Sequence, residues 1–190
     1  MSKTISITGK PGSGKSTLIR KLKNELNINI EHLVKHNNRS YHYFSNDNHV
    51  YILGKYSDDT PFGGVDFYKS KLFSIDLINL IISDDKDAII FLEGVFFKKY
   101  DYDVKLFLSV TDDVLIKNLL DRAAANYNIK RFKSPEEIEA KSKKILETFK
   151  YFENRFRKQG YTLLNNNTDE ERAANYQLLL NYSHRRRYRR

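Results

Sequence analysis

The chain has 190 residues, 40% of them hydrophobic, which is enough for one well-cored domain and too few for two. It contains no cysteine, which excludes disulfides and thiol chemistry and is typical of a reducing compartment. The first residues lead directly into a predicted strand and leave no room for a signal peptide, and no apolar run reaches the roughly 20 residues that span a bilayer. We therefore expect a cytoplasmic protein, in the host cytoplasm if a virus encodes it.

The formal net charge of +9 is concentrated at the C-terminus. Residues 183–190 are predicted to be a basic tail, with five arginines around Tyr188. Such a tail can bind the phosphates of a nucleic acid or another acidic surface. It can equally be a solvated terminus that keeps the protein in solution. The sequence leaves both interpretations open.

The first predicted strand and helix flank a glycine-rich motif. Residues 4–8 are rich in β-branched side chains, and residues 17–26 carry leucine and isoleucine at helical spacing. Between them, residues 9–16 fit the phosphate-binding P-loop pattern G-x-x-x-x-G-K-[ST] at every fixed position. The loop is expected to bind a nucleoside triphosphate through backbone N–H groups and the helix N-terminus. The predicted nucleotide-binding residues are Gly9, Lys10, Pro11, Gly12, Ser13, Gly14, Lys15, Ser16 and Thr17.

Two side chains of the P-loop have specific expected roles. Lys15 is expected to reach the β- and γ-phosphates, and the Ser16 hydroxyl is expected to hold Mg²⁺. The alternative is a chance glycine-rich turn, which the strand before the loop and the helix after it disfavour. The sequence therefore predicts ATP and Mg²⁺ as ligands.

Residues 28–67 are the least regular part of the chain, and about 32–67 are predicted to be a substrate-binding insertion. Residues 41–44 and 50–53 flank a turn-forming Ser-Asn-Asp-Asn run, which predicts a hairpin. The stretch 32–56 is rich in aromatic and basic side chains, which can stack on bases and follow a phosphate backbone. The commoner explanation for such rings is a hairpin with one buried aromatic face.

Strands and helices alternate along the rest of the chain. Helices are predicted over residues 70–82, 111–125 and 134–160 and from residue 168 onward, and strands over 88–94, 104–110 and 161–164. This alternation predicts an α/β fold, a three-layer sandwich with a mainly parallel sheet of about five strands. Ligands are then expected at the carboxyl edge of the sheet. We expect one domain over residues 1–182.

Glu93 ends the apolar strand predicted over 88–94, at the same sheet edge as the P-loop. The guanine and switch motifs of GTPases, N-K-x-D and D-x-x-G, are not found, and the strand ends in one carboxylate followed by glycine rather than in Asp-Glu as in motor ATPases. This ending resembles the uridine-kinase branch of the P-loop nucleoside and nucleotide kinases. The resemblance implies that Glu93 helps Ser16 to organise Mg²⁺. The alternative is a strand-end residue that caps a nearby N–H.

The resemblance to these kinases covers most of residues 3–182 and includes the position of a lid. Residues 126–134 form a basic connection where nucleotide kinases carry their lid, and Arg122 stands just before it. A lid that closes can bring positive charge to the migrating phosphoryl group while excluding water. Arg122 and Arg131 are therefore the predicted transition-state charge stabilisers. An ordinary solvated basic loop is the alternative.

A second segment is similar to phage-type P-loop kinases. Gly54-Lys55-Tyr56 is followed, after a polar loop, by Gly63-Gly64-Val65-Asp66. Such kinases include proposed kinases of 5-hydroxymethyluracil in DNA. Asp66 is the predicted residue that orients or deprotonates the acceptor hydroxyl, with Asp58 or Asp59 in reserve. Alternatively, the glycines make a turn and Asp66 caps the next helix.

The sequence thus predicts a P-loop kinase that transfers the γ-phosphate of ATP to a nucleoside, a nucleotide or a hydroxymethylated pyrimidine in DNA. One alternative is a nucleic-acid-binding NTPase that hydrolyses ATP without a phosphorylated acceptor. Another is a regulatory module that binds nucleotide without turnover. The acceptor, the choice between ATP and GTP and the oligomeric state stay open at this point.

Overall fold

The computed structural model of the protein describes residues 1–36, 39–56, 64, 71–94, 100–125 and 135–184. The strands are β1 (Lys3–Gly9), β2 (Ile30–His36), β3 (Arg39–Ser45), β4 (Val50–Leu53), β5 (Ile89–Glu93), β6 (Val104–Ser109) and β7 (Thr162–Asn165). The helices are α1 (Lys15–Glu25), α2 (Lys71–Asp84), α3 (Asp112–Ala125), α4 (Pro135–Phe149), α5 (Phe152–Lys158) and α6 (Asp169–His184).

The strands form one sheet in the order β2-β3-β4-β5-β1-β6-β7. The five strands from β4 to β7 in this order run parallel to one another, whereas β3 is antiparallel to both of its neighbours. Parallel strands are joined by helical crossovers, so their carboxyl ends meet at one edge. The central strand β1 therefore delivers the P-loop to that edge, beside the end of β5.

Helices cover both faces of the sheet. On one face, Ile5 and Ile7 of β1 pack against apolar side chains of α1 and α6, such as Leu22 and Leu179. On the other face, α2 packs on β5, and Phe156 of α5 packs on β6 and Tyr161. All five residues of β5 are buried, as expected for a parallel strand covered on both faces. The predicted three-layer α/β fold with a mainly parallel sheet is confirmed.

The sheet has seven strands rather than about five, because β2 and β3 extend it. The predicted hairpin is confirmed: β3 and β4 pair antiparallel, and Asn46 Oδ1 accepts the N–H groups of Asn48 and Val50 in the turn. The strand β2 then pairs with β3 over its full length. Residues in the predicted insertion 32–67 therefore belong to the main sheet, and β4 is one of its parallel strands.

The long helix expected over 134–160 is two helices, so that prediction is wrong. The turn at Lys150 and Tyr151 separates α4 from α5, and Lys150 N–H bonds to Glu147 O three residues back at 3.3 Å. The two helices follow different partners, because α4 packs against α3 whereas α5 packs against β6 and β7. Periodicity alone does not reveal this change of partner.

The final helix begins as predicted. Thr168 Oγ1 accepts the N–H of Glu171 at 3.2 Å, and Glu171 Oε2 accepts the N–H of Thr168 at 3.2 Å and that of Asn167 at 2.6 Å. This reciprocal arrangement is a capping box, which satisfies N–H groups that have no partner within the helix.

Within the described ranges, no helix combines the length and the apolar character needed to cross a membrane.

Candidate active site

The P-loop lies between β1 and α1, as predicted. Gly14 precedes the helix with φ of 88°, a left-handed conformation that favours glycine. The Lys15 side chain is buried and folds back over the loop, where Nζ donates to Gly9 O at 3.1 Å and to Lys10 O at 3.0 Å. A flexible ammonium held by two neutral carbonyls can move to a phosphate, which carries full negative charge. The Lys15 ammonium thus lies against the backbone of the loop, where phosphate is predicted to bind.

The other side chains of the loop differ in their surroundings. Lys10 Nζ lies 3.7 Å from Asp112 Oδ1 and 3.6 Å from Glu153 Oε1, so this side chain pairs with acids of α3 and α5. Ser13 is fully buried, and its hydroxyl has no hydrogen-bond partner in the part of the chain that the structure describes. Ser16 is half-buried and Thr17 is exposed. Lys10 therefore contributes its backbone, rather than its ammonium, to the loop.

Glu93 lies at the end of β5 beside the P-loop strand. It is in register with Ile7 of β1, and the following Gly94 N–H donates to Ile7 O at 3.1 Å. The Glu93 side chain is 2% exposed, which is costly for a carboxylate unless it is paired or binds a cation. The prediction that Glu93 closes its strand on the P-loop edge is confirmed.

Gly54, Gly64 and Glu93 lie in close contact with one another. A Cβ built on Gly64 would lie 2.6 Å from Glu93 Cγ and 2.8 Å from Glu93 Oε1. A Cβ built on Gly54 would lie 2.4 Å from the carbonyl carbon of Gly64. Gly54, Gly64 and Glu93 therefore lie against one another at the ends of β4 and β5, at a spacing that only glycine permits at positions 54 and 64. The sequence analysis placed both glycines in a kinase-like segment, but it did not predict that they contact each other.

A cavity of about 710 Å³ opens beside the P-loop. Its size falls in the usual range for small-molecule sites, roughly 300–1,000 Å³. It lies between α1, α3 and the start of α6, and both polar and charged side chains line it, among them Asn118, Asn166 and Arg172. Sequence reasoning missed these residues. The available signal was the Asn-Asn-Asn run at 165–167, which follows a parallel strand at the ligand-binding edge.

The aromatic side chains of β2, β3 and β4 are mostly structural. Tyr41 and Phe44 are buried on opposite sides of the sheet. The His32 and Tyr43 rings stack on each other, with centroids 4.4 Å apart and planes 3° apart. Tyr51 donates to Asp85 Oδ2 at 3.0 Å, and burial together with this bond raises its pKa to about 12. The interpretation of a hairpin with a buried aromatic face fits this arrangement.

Several predicted site residues lie outside the described residues. These are Asp58, Asp59, Asp66, Arg131, the lid segment 126–134 and the arginines of the tail. Arg122 belongs to α3, although its side chain is not among those described. The structure thus brings together the P-loop, Glu93, Gly54 and Gly64, and it places α3 along the cavity.

Comparison with known proteins adds a family to this geometry. A search of curated proteins found no significant match. The crystal structure of shikimate kinase from Bacteroides thetaiotaomicron is similar over 93% of this chain and 95% of its own, with 18% identity and a TM-score of 0.42. The AAA domain family matches residues 5–144, a range that contains the P-loop, Glu93 and α3. The chain therefore belongs to the AAA domain family of P-loop NTPases.

Proposed function

We propose that this protein is an ATP- and Mg²⁺-dependent phosphotransferase. The observation that carries the proposal is the buried carboxylate of Glu93, which ends the strand next to β1 and contacts Gly64. A kinase needs a phosphate loop, a metal-binding carboxylate and an acceptor-binding segment at one place. The contact of Gly64 with Glu93 supports an acceptor-binding segment next to the metal-binding carboxylate and the phosphate loop.

ATP fits the surface formed by the P-loop and the neighbouring cavity. Its phosphates would lie in the loop, and its base and ribose in the cavity between α1, α3 and α6. Lys15 would exchange its bonds to Gly9 O and Lys10 O for the β- and γ-phosphates. The donor is charged in both arrangements, but phosphate also brings a full negative charge to the acceptor, so the exchange gains Coulomb attraction.

Ser16 and Glu93 would hold Mg²⁺. The donors are a hydroxyl and a carboxylate, the oxygen ligands that this ion prefers, and the ion usually takes only one or two carboxylates along with phosphate oxygens and water. No cluster of three acidic or imidazole side chains is found among the described residues, and such a site does not need one. When bound, the ion neutralises charge that develops on the transferred phosphoryl group.

Asp66 is our proposed acceptor-orienting residue, with Asp58 or Asp59 in reserve. It follows Gly64 by two positions in the sequence, and Gly64 contacts Glu93. A carboxylate there would accept the hydrogen bond of the attacking hydroxyl and receive its proton. The acceptor would be a nucleoside, a nucleotide or a hydroxymethylated pyrimidine in DNA, as the similarity to phage-type kinases implies.

Arg122 and Arg131 would stabilise the negative charge of the transition state. Arg122 belongs to α3, which also carries the cavity residues Asn118 and Asp121, and Arg131 belongs to the proposed lid 126–134. Guanidinium groups supplied by a closing segment are an effective source of such stabilisation. The proposal also includes the predicted division of the chain. It has a kinase domain over residues 1–182, with a substrate-binding insertion at about 32–67 and a lid at about 126–134.

The test is to follow labelled γ-phosphate. The protein is incubated with γ-labelled ATP and, in turn, nucleosides, nucleoside monophosphates, plain DNA and DNA containing hydroxymethylated pyrimidine. We expect label in one of these acceptors, with none transferred by Lys15→Ala. Asp66→Asn should bind ATP normally and transfer slowly, whereas a loss of stability would support its helix-capping alternative. Label found only in free phosphate would contradict the kinase.

A second candidate is a nucleic-acid-binding NTPase, which is compatible with the AAA domain match because a P-loop specifies a nucleotide and not an acceptor. This candidate predicts release of free phosphate that DNA or RNA stimulates, with no phosphorylated product. The same labelling experiment separates it from the kinase. Tight ATP binding without any consumption would instead indicate a regulatory module.

A further inference from the structure

We propose that Asn118 and Asn166 orient the P-loop peptide groups that bind phosphate. Asn118 Nδ2 donates to Gly12 O at 2.9 Å, and Asn166 Nδ2 donates to Ser13 O at 2.8 Å. The two amides come from different elements, one from α3 and the other from the segment after β7. Both contact consecutive carbonyls of the loop. The inference rests on the proposed binding of ATP by this loop.

The geometry of the peptide group explains how these contacts fix the direction of N–H groups at the phosphate site. In a planar trans peptide, the C=O of one residue and the N–H of the next point in opposite directions. An amide that holds Gly12 O on the outside of the loop therefore directs Ser13 N–H inward, and one that holds Ser13 O directs Gly14 N–H inward. Inward N–H groups are the donors that a P-loop offers to phosphate.

The contacts within the loop agree with this direction, although Ser13 N–H already has an acceptor in the loop that phosphate would have to replace. Ser13 N–H donates to Lys10 O at 3.1 Å, and the same carbonyl accepts the Lys15 ammonium at 3.0 Å. Lys15 is the residue expected to touch the phosphates, so Ser13 N–H faces the same side as Lys15. The two asparagines lie on the opposite side of these peptides.

Asn166 is itself fixed in one orientation. Asn175 Nδ2 donates to Asn166 Oδ1 at 3.0 Å and to Asn165 O at 2.7 Å, and Asn166 N–H donates to Ser109 O at 2.9 Å. With its oxygen engaged by Asn175, the Asn166 amide must present its NH₂ group to the loop. Both Asn166 and Asn175 are buried, which strengthens the consequence of a lost bond.

The loop leaves room for this amide only because residue 14 is glycine. A Cβ on Gly14 would lie 2.8 Å from Asn166 Nδ2, inside any normal contact distance. Gly14 therefore serves the asparagine contact as well as the left-handed turn. Asn118 and Asn166 also line the cavity proposed for the base and ribose, but their Nδ2 groups donate to the loop carbonyls, and we therefore assign them as positioning residues.

The test compares neutral substitutions with a matched control. Asn118→Ala and Asn166→Ala should each raise the dissociation constants of ADP and of inorganic tripolyphosphate roughly fivefold to tenfold. The dissociation constant of adenosine, which lacks phosphate, should stay within about twofold. Asn167→Ala is the control, because Asn167 lies next to Asn166 and accepts the N–H of Thr111 at 2.7 Å. It should leave all three constants unchanged.

Two outcomes would overturn the proposal. Unchanged binding of ADP and tripolyphosphate would mean that the loop keeps its orientation without the amides. Equal losses for adenosine and ADP would mean that the asparagines serve the base cavity or the fold. If Asn166→Ala does not fold, the half-buried Asn118→Ala carries the test. This test measures only binding. If the wild-type protein transfers no phosphate, the kinase proposal is contradicted, but the comparison of dissociation constants still tests the role of the asparagines.

Discussion

Gly64 has φ of 90°, and a Cβ built there would lie 2.6 Å from Cγ of Glu93. Gly160 has a similar φ of 80°, but nothing lies within 4 Å of the Cβ that it would carry. The two positions therefore separate two effects of adding a methyl group. Both share the cost of a left-handed backbone, whereas only Gly64 meets the candidate metal ligand.

We predict that Gly64→Ala and Gly160→Ala each lower the free energy of unfolding by about 1–2 kcal/mol from backbone strain. Gly64→Ala should also displace Glu93 and reduce phosphoryl transfer roughly 100-fold, since a displacement of about 1 Å has that effect in a positioned site. Urea unfolding and the labelled-ATP assay measure the two quantities. Full transfer by Gly64→Ala would show that Glu93 is not needed at this position.

The P-loop residues and Glu93 could be predicted as site residues because each belongs to a local pattern. The P-loop has a fixed spacing of glycine and lysine, and Glu93 ends an apolar strand. It did not mark Asn118 or Asn166, which are 48 positions apart and become neighbours of the loop only through the fold. An isolated asparagine carries no pattern of its own. Long-range side-chain contacts of this kind depend on tertiary structure.

At the scale of elements, β2, β3 and β4 carry a row of aromatic rings across the edge of the sheet. His32 stacks on Tyr43, Tyr43 lies 6.3 Å from Tyr51, and His32 Nε2 contacts Ser45 Oγ at 2.8 Å. Burial lowers the pKa of His32 below its ordinary value of 6.5. The strand pairing that buries this ring therefore favours its neutral form.

This shift predicts a dependence of stability on pH. Because the folded-state pKa of His32 is lowered, the unfolded chain takes up the proton first as pH falls below 6.5, and the free energy of unfolding decreases. The contribution is fully present above pH 6.5 and is lost as pH falls towards the folded-state pKa. Urea unfolding of the wild type and His32→Phe measures it. Phenylalanine retains a ring against Tyr43 but does not titrate.

The variant should show a shallower decrease below pH 6.5 than the wild type. His42 and His49 are present in both proteins, so their contributions cancel in the comparison. Equal slopes in the two proteins would mean that His32 titrates alike in the folded and unfolded states.

The helices show which boundaries a sequence pattern can predict. The start of α6 was predictable because Thr168 and Glu171 form a local capping box. The division between α4 and α5 was not, because the apolar stripe continues across it. Phe149 and Phe152 contact each other with centroids 4.4 Å apart, while Phe156 packs on Phe107 of β6. Packing on the sheet, rather than helix propensity, sets the direction of α5.

At the scale of the whole molecule, five of the nine excess positive charges lie in the arginine tail. We predict that deleting residues 185–190 weakens binding to DNA and flattens its dependence on salt, because each phosphate contact contributes a slope of about −0.9 in log–log form. Transfer to a free nucleoside or nucleotide should not change. Fluorescence anisotropy with a labelled duplex at several salt concentrations measures the effect.

Identical DNA affinity with and without the tail would identify it as a solvated terminus. A loss of transfer to free acceptors would instead place the arginines close to the active site. Weaker binding to DNA without the tail would support the interpretation of a nucleic-acid contact, so the DNA affinity decides between the two interpretations that the composition leaves open.

By itself, the sequence determined the α/β class, most of the order of strands and helices, the phosphate loop and the carboxylate that ends β5, because each follows from local periodicity or a short motif. Tertiary structure alone decided that β2 and β3 join the sheet and that the helix after residue 134 divides. It also brought Gly54 and Gly64 against Glu93, and the asparagines against the P-loop. These outcomes depend on contacts between residues distant in sequence, and packing sets such contacts.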